Sequence, residues 1–280
     1  MAKRNVKIGI CGAAGRMGIM LIRAVTQHSK CELVAANELS SHSALGIDAG
    51  EVAGLNHLSV PLSDDVDNTF KNSEVVLDFT LPNATVDHAE SAARNGTALI
   101  IGTTGLNKNQ QEVLNRASKK VPIVQAPNMS LCVNLLMKFV EQAAKILDDD
   151  YDVEIVEMHH NRKVDSPSGT ALGLGQAVAK GRAVDFDDVS ERGRDGVIGP
   201  RKKGNIGFAA LRGGDVVGDH SVIFAAEGER IELTHKASNR LIYARGAIRA
   251  AIWAHQREPG LYTMADVLGL NSLSEGSRIN

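Results

Sequence analysis

The chain has 280 residues, a formal net charge of −2, 43% hydrophobic residues and 23% charged residues. That is the balance of an ordinary globular protein with room for one large or two medium domains, and it argues against a nucleic-acid binder, which carries a basic face. Cys11, Cys31 and Cys132 are too few and too scattered for a disulfide framework or a zinc site, so no metal is expected.

Residues 6–11 read as a buried strand and residues 15–27 as a helix with Met17, Met20, Leu21, Ala24 and Val25 on one face. The apolar run from Val6 to Cys11 is too short for the core of a signal peptide, and no stretch reaches the ~20 residues that a membrane span needs. A reducing, cytoplasmic location is therefore expected, with no membrane partner. Strands are predicted at 32–36, 75–79, 97–101 and 122–125, with helices at 84–95 and about 108–119. Such alternation builds a parallel sheet with right-handed crossovers. Residues 40–67 show no regular period. After Asn128 the pattern changes. A long helix is predicted at 133–147, a strand at 151–158 and a helix at 168–180 capped by Ser168. Strand-like runs follow at 206–211, 216–226 and 230–235, the last two joined by the hairpin signal Glu227-Gly228. Residues 241–254 are again helical and are expected to pack back onto the first domain. The polar stretch from 185 to 203 carries Arg192, Arg194, Arg201, Lys202 and Lys203. Its length and charge suit a lid over an anion or a solvated surface, and composition leaves both open.

Gly12-Ala13-Ala14-Gly15-Arg16-Met17-Gly18 follows the first strand and opens the first helix. Glycines let a backbone approach a pyrophosphate, and a helix N-terminus offers N–H groups and positive dipole charge. Glu38 ends the second strand 20 residues past Gly18, where a carboxylate accepts hydrogen bonds from a ribose diol. The spacing, G-x-x-G-x-x-G, departs from the commoner G-x-G-x-x-G, but strand, helix and acid all stand in the required places. Gly102-Thr103-Thr104 and Ala126-Pro127-Asn128-Met129 lie at carboxyl ends of strands, where open parallel sheets bind ligands. The fold class is thus α/β, an N-terminal Rossmann-type parallel sheet plus a smaller α+β domain with a mixed sheet. Residues 1–129 with 241–280 are assigned to dinucleotide binding and 130–240 to the substrate. NADH, NADPH or both are the expected cofactors. Glu38 would repel a 2′-phosphate, Leu39 offers no compensating charge, and Arg16 and His42 are the nearest candidate cations, so NADH is expected to serve at least as well.

The run from Glu157 to Ala171 concentrates the chemistry. It holds His159, His160 and Lys163 and then Pro167-Ser168-Gly169-Thr170 at the start of a helix. Imidazoles and an ammonium supply protons, and hydroxyls and N–H groups at a helix start suit a carboxylate. A small anionic substrate is the expected partner.

With these residues in their order, the chain resembles the 4-hydroxy-tetrahydrodipicolinate reductase (dihydrodipicolinate reductase) family over nearly its whole length. The glycine turn, Gly102-Thr103-Thr104, Asn128 with Ser130 and Asn134, the Glu157–Ala171 block and His235-Lys236-Ala237-Ser238 carry the likeness. The resemblance implies NAD(P)H-dependent reduction with loss of water in the diaminopimelate–lysine pathway, and a homotetramer joined through the C-terminal sheets. It also implies His159 as proton donor and acceptor and Lys163 as proton donor. His160, Ser168, Gly169, Thr170 and Arg240 would hold the substrate carboxylates, and Met17 and Met129 would line the cofactor site. Two residues depart from the pattern. Leu39 stands where relatives often carry arginine, and Cys132 stands where glycine is usual. Cys132 also opens a rival reading, a semialdehyde dehydrogenase with a thiolate nucleophile at a helix start. A non-catalytic NAD(H) sensor is a further alternative, although a sensor has no need of Lys163 beside an anion-holding helix cap.

Overall fold

The computed structural model describes residues 4–273. They divide into two compact units, 4–130 with 241–269 and 131–240 with 270–273. The sequence reading assigns 270–280 to the first domain; 270–273 cluster with the second unit, and 274–280 lie outside the described residues.

The first unit opens with β1 (Val6–Cys11), α1 (Arg16–Thr26), β2 (Cys31–Asn37), α2 (Ala49–Val52), β3 (Leu62–Ser63), α3 (Val66–Asn72), β4 (Val75–Asp78), α4 (Pro82–Asn95), β5 (Ala98–Ile101), α5 (Lys108–Ala117) and β6 (Pro122–Gln125). The apolar stripe of α1 buries Leu21, Ile22, Ala24 and Val25. Pro82 starts α4, and Gly96 ends it in the left-handed region, at φ 71°. Where the sequence shows no period, side chains build the structure. The buried Asp48 carboxylate accepts the N–H groups of Gly50, Leu58 and Val60, each at 2.8 Å.

The second unit contains α6 (Leu131–Ile146), β7 (Asp152–His159), α7 (Gly169–Arg182), α8 (Phe186–Val189), β8 (Ser190–Glu191), β9 (Ile206–Arg212), β10 (Gly218–Ala226) and β11 (Glu229–Ala237). Its sheet runs β11-β10-β7-β9-β8 and is mixed: β10 is antiparallel to both β7 and β11, and β9 is parallel to β7 and β8. Leu136 and Val140 of α6 and Leu174 and Val178 of α7 pack with Val153, Ile155, Val222 and Phe224. Both helices therefore cover one face. The pleat turns Val156, Met158, Ala209, Leu211 and Ile223 to the other face.

The polar stretch after β8 is tied down. Arg194 makes a two-pronged contact with Glu154 at 2.8 and 3.0 Å. Arg201 bonds Glu154 and Asp152 at 2.9 and 2.8 Å, and Lys203 bonds Asp150 at 2.7 Å. These cations are committed to acids of their own unit, which favours a bolted surface over a lid.

The chain then returns to the first unit as α9 (Leu241–Ala254), β12 (Gly260–Tyr262) and α10 (Met264–Leu268). The completed sheet runs β12-β6-β5-β4-β1-β2-β3, with every neighbouring pair parallel. This is the Rossmann order with one strand added beyond β6. As the sequence predicts, α9 packs on the first unit, against α1 and strands β4 to β6.

At Gly246 of α9 an added Cβ would stand 1.7 Å from the Met129 carbonyl oxygen, so the helix sits directly on the chain after β6. Overpacking of this kind costs about 1–3 kcal/mol. Gly246→Ala is expected to lose that much or more, and chemical denaturation of the variant beside the native chain checks it.

Candidate active site

In the first unit β1, β4 and β5 end level with one another: Cys11 pairs with Asp78, and Asp78 with Ile101. Three loops leave from that line. The first is the glycine turn. Gly12 has φ +68°, and a Cβ there would meet the Thr80 methyl at 2.8 Å; at Gly18 a Cβ would lie 2.1 Å from the Gly12 carbonyl oxygen. Both positions therefore require glycine. No side chain caps α1 at Gly15. Its first-turn N–H groups, at Arg16 and Met17, have no acceptor within the helix and suit an anion. Glu38, 8% exposed, accepts from the N–H groups of Ala14 and Leu39, each at 3.0 Å. Ala13 is tied to Asn37 at 3.0 Å.

The second loop begins at Asp78, which is fully buried. Its Oδ1 accepts from the Thr80 N–H at 3.0 Å and the Thr80 hydroxyl at 2.6 Å. Its Oδ2 lies 3.1 Å from Nδ1 of the buried His88. The third loop starts at Gly102, where the Phe79 ring fills the space that a side chain would take. The Thr103 hydroxyl is 3.5 Å from Asp78 Oδ1, at the limit of a hydrogen bond. Ala126 is tied to the end of β5 at 3.1 Å, and the Asn128 side chain accepts from Ser130 N–H at 2.8 Å. The predicted cofactor residues thus gather at one edge of one sheet. A glycine turn over an uncapped helix, with an acid at the end of β2, fits a pyrophosphate and its ribose.

In the second unit the predicted residues gather around the end of β7. Glu157 and His159 lie two apart on the helix-covered side. Glu157 is 1% exposed. Its Oε2 is 2.6 Å from His159 Nδ1. Arg212 grips both carboxylate oxygens at 2.9 Å, and Ser168 N–H donates to Oε1 at 3.0 Å. Burial alone would raise this carboxyl. The guanidinium, the imidazole and the N–H outweigh it and hold Glu157 below the usual range.

Ser168 caps α7 by accepting the Ala171 N–H at 3.2 Å, and its hydroxyl lies 3.1 Å from His220 Nε2. It is 1% exposed, so its polar atoms serve the frame. Gly169 and Thr170, the first two residues of α7, stand at its accessible end. His160 Nε2 is 3.2 Å from Arg240 Nη2. Burial, then the Arg240 charge, pushes the His160 pKa down, so the neutral ring accepts from the guanidinium. Lys163 is held by its N–H on the His160 carbonyl at 3.1 Å, and its ammonium bonds Asp165 at 2.7 Å.

Sequence reasoning passed over four residues that matter here: Glu157 as an anchor, Arg212, His220 and Asp78. Only Asp78 left a signal, an acid at the end of an all-apolar run followed by Thr80. His220 and Arg212 arrive by strand register, His220 opposite Glu157 and Arg212 opposite His159. Cys132 lies exposed in the first turn of α6.

A Rossmann sheet with this turn, and a second unit that assembles imidazoles, an ammonium and an accessible helix start, define an oxidoreductase that uses a pyridine nucleotide. Residues 6–129 match the family profile of dihydrodipicolinate reductase, N-terminus, and residues 132–268 that of its C-terminus. The chain belongs to the dihydrodipicolinate reductase family. A 4-hydroxy-tetrahydrodipicolinate reductase of Rhodopseudomonas palustris (strain BisA53) is 52% identical, with 96% of this chain and 99% of that one covered. One from Magnetococcus marinus is 47% identical over 95% and 99%. Among solved structures, a dipicolinate-bound dihydrodipicolinate reductase from Paenisporosarcina sp. TG-14 matches with a TM-score of 0.76 at 25% identity, covering 94% of this chain and 98% of that one. An aspartate semialdehyde dehydrogenase from Vibrio cholerae shares the fold alone, with a TM-score of 0.51 at 11% identity. Among the described residues no helix is long and apolar enough to cross a membrane.

Burial, then the neighbouring His159 charge, pushes the His220 pKa down from 6.5 to about 4. Above about pH 6.5 both the folded and the unfolded forms of this ring are neutral. As pH falls toward 4, the unfolded chain takes a proton that the folded chain refuses, so stability is lost across that window, by about 3 kcal/mol at most. His220→Gln is expected to flatten the fall of Tm between these pH values, as thermal melts across the range would reveal; an unchanged slope contradicts the assignment.

Proposed function

We propose that the chain reduces 4-hydroxy-tetrahydrodipicolinate to tetrahydrodipicolinate, with loss of water, in the diaminopimelate–lysine pathway. The observation that carries this reading is the cluster at the end of β7, where His159, the His160–Arg240 pair, Lys163 and the start of α7 converge in a chain of this family. The first unit holds NADH or NADPH, the second unit the substrate.

The bound nicotinamide supplies the hydride. Arg16, Met17 and the glycine turn hold the pyrophosphate. Glu38 faces the ribose, and the Gly102–Thr104 and Ala126–Met129 loops line the nicotinamide half. Gly169 and Thr170 at the head of α7, with Arg240 and His160, grip the two substrate carboxylates, and Ser168 builds the cap. The dipicolinate in the Paenisporosarcina relative is a dicarboxylate of that kind. Reduction of a conjugated imine leaves negative charge on nitrogen, and a positioned acid stabilises it. Lys163 is the proton donor, and His159 donates and accepts. Cys132 has no part in this scheme.

Leu39 is 66% exposed and uncharged beside the Glu38 carboxylate. This favours NADH at least equally, since Leu39 brings no charge to offset a 2′-phosphate. We further propose a homotetramer formed on the uncovered face of the second unit's sheet. Val156, Met158, Ala209, Leu211 and Ile223 put an apolar strip there, and Leu211 is 51% exposed. Leu211→Glu is expected to give smaller species in sedimentation.

NAD(P)H oxidation, with substrate made in place from pyruvate and aspartate semialdehyde by a synthase, tests the activity. Turnover should require the synthase and should be at least as efficient with NADH as with NADPH; a large NADPH advantage contradicts the Glu38–Leu39 argument. Lys163→Ala should lower kcat by on the order of 10²–10⁴-fold while NADH still binds. Unchanged turnover would remove Lys163 from the mechanism.

A further inference from the structure

We propose that Glu157 is a positioning residue for the proton step, fixing which nitrogen of His159 carries the hydrogen. The inference rests on the reading that His159 exchanges a proton with the substrate. An ionised carboxylate only accepts hydrogen bonds. Oε2 stands 2.6 Å from His159 Nδ1, so a neutral His159 must keep its hydrogen on Nδ1. Nε2 is then left with a lone pair, the form that takes up a proton and returns it.

The surroundings support this role from each side. Arg212 grips both carboxylate oxygens, and Ser168 N–H holds Oε1, so Glu157 neither turns away nor loses its charge readily. The same carboxylate therefore joins the His159 ring to the cap of α7, which is proposed to bind the substrate. Nε2 lies against Gly218, where a Cβ would stand 3.0 Å from it, tighter than an ordinary contact, so glycine there spares this nitrogen a clash. His220 meets the His159 ring edge-on, with centroids 5.0 Å apart. It fixes the ring plane without bonding either of its nitrogens.

The sequence shows the device only in outline. Glu157 and His159 alternate onto one face of a strand, a spacing that any strand provides. Its partners come from distant segments, Ser168 after the turn and Arg212 one strand away.

Glu157→Gln keeps the shape and removes the charge. With its oxygen turned to Ser168 N–H and Arg212 Nη2, its amide group gives up the Arg212 Nη1 bond, faces Nδ1 and drives the hydrogen onto Nε2. The equivalent swap in a serine protease triad leaves geometry intact and lowers kcat by about 10⁴-fold through the wrong tautomer. Here kcat is expected to fall by on the order of 10²–10⁴-fold, with KM for NADH and the affinity for dipicolinate changed by less than about threefold, since only the proton step is touched. Glu157→Asp, which keeps the charge, should recover part of the loss. Nitrogen NMR of the labelled imidazole should find the hydrogen on Nδ1 in the native enzyme and on Nε2 in Glu157→Gln. A native His159 with its hydrogen on Nε2, or full turnover in Glu157→Gln, overturns the proposal. If Glu157→Gln does not fold, the native spectrum alone decides. Failure of the underlying reading has its own signature: His159→Asn would then turn over normally whatever the tautomer.

Discussion

Removing the Glu157 carboxylate from water is the constraint around which the second unit is arranged. A buried, unpaired charge costs several kcal/mol, so the chain has to bring donors to it. It brings a guanidinium from β9, a backbone N–H from the cap of α7 and a ring nitrogen from β7 itself. Those three sources are the sheet, the helix and the His159 ring. The carboxylate thus fixes the positions of β9, the head of α7 and that ring relative to one another. Ser168 completes the arrangement, since its hydroxyl caps α7 and also meets His220.

The first unit solves a related problem in the same way. Its sheet buries Asp78 between strands, and the loops after β1, β4 and β5 arrange themselves about that acid and its neighbour Thr80. Both units place a desolvated carboxylate at or near the end of a strand, and in both a following loop supplies part of what satisfies it: Thr80 for Asp78 and Ser168 for Glu157. Hydrogen bonds within each unit hold these loops, and geometry that is held in this way lowers the ordering cost of binding.

How much of this the sequence reveals depends on the range of the interactions. The β1–Gly12–α1 turn, the strand-helix alternation and the block around His159 are local patterns, and they are legible because period and turn chemistry act over a few residues. The bounds of β6 and α9 can be read directly. Residues 40–67 cannot, because α2 and β3 are short and the segment between them is held by Asp48 reaching across to Leu58 and Val60. Nor can β12, three residues that become a strand only by lying beside β6. Arg212 and His220 are invisible for the same reason. Each lies in an ordinary strand run, and only the register of β9 and β10 against β7 brings it to Glu157. The Arg194 and Arg201 contacts with Glu154 likewise turn a stretch that resembles a lid into bolted surface.

The alternation of β7 leaves the strand no slack. Glu157 and His159 face the helices, while Met158 between them faces the apolar strip. Chemistry and surface thus occupy successive residues of one peptide run, and an insertion or deletion of a single residue there would exchange them. Substitutions in the strip leave Glu157 and His159 on the helix-covered face, whereas a change in the length of this strand does not.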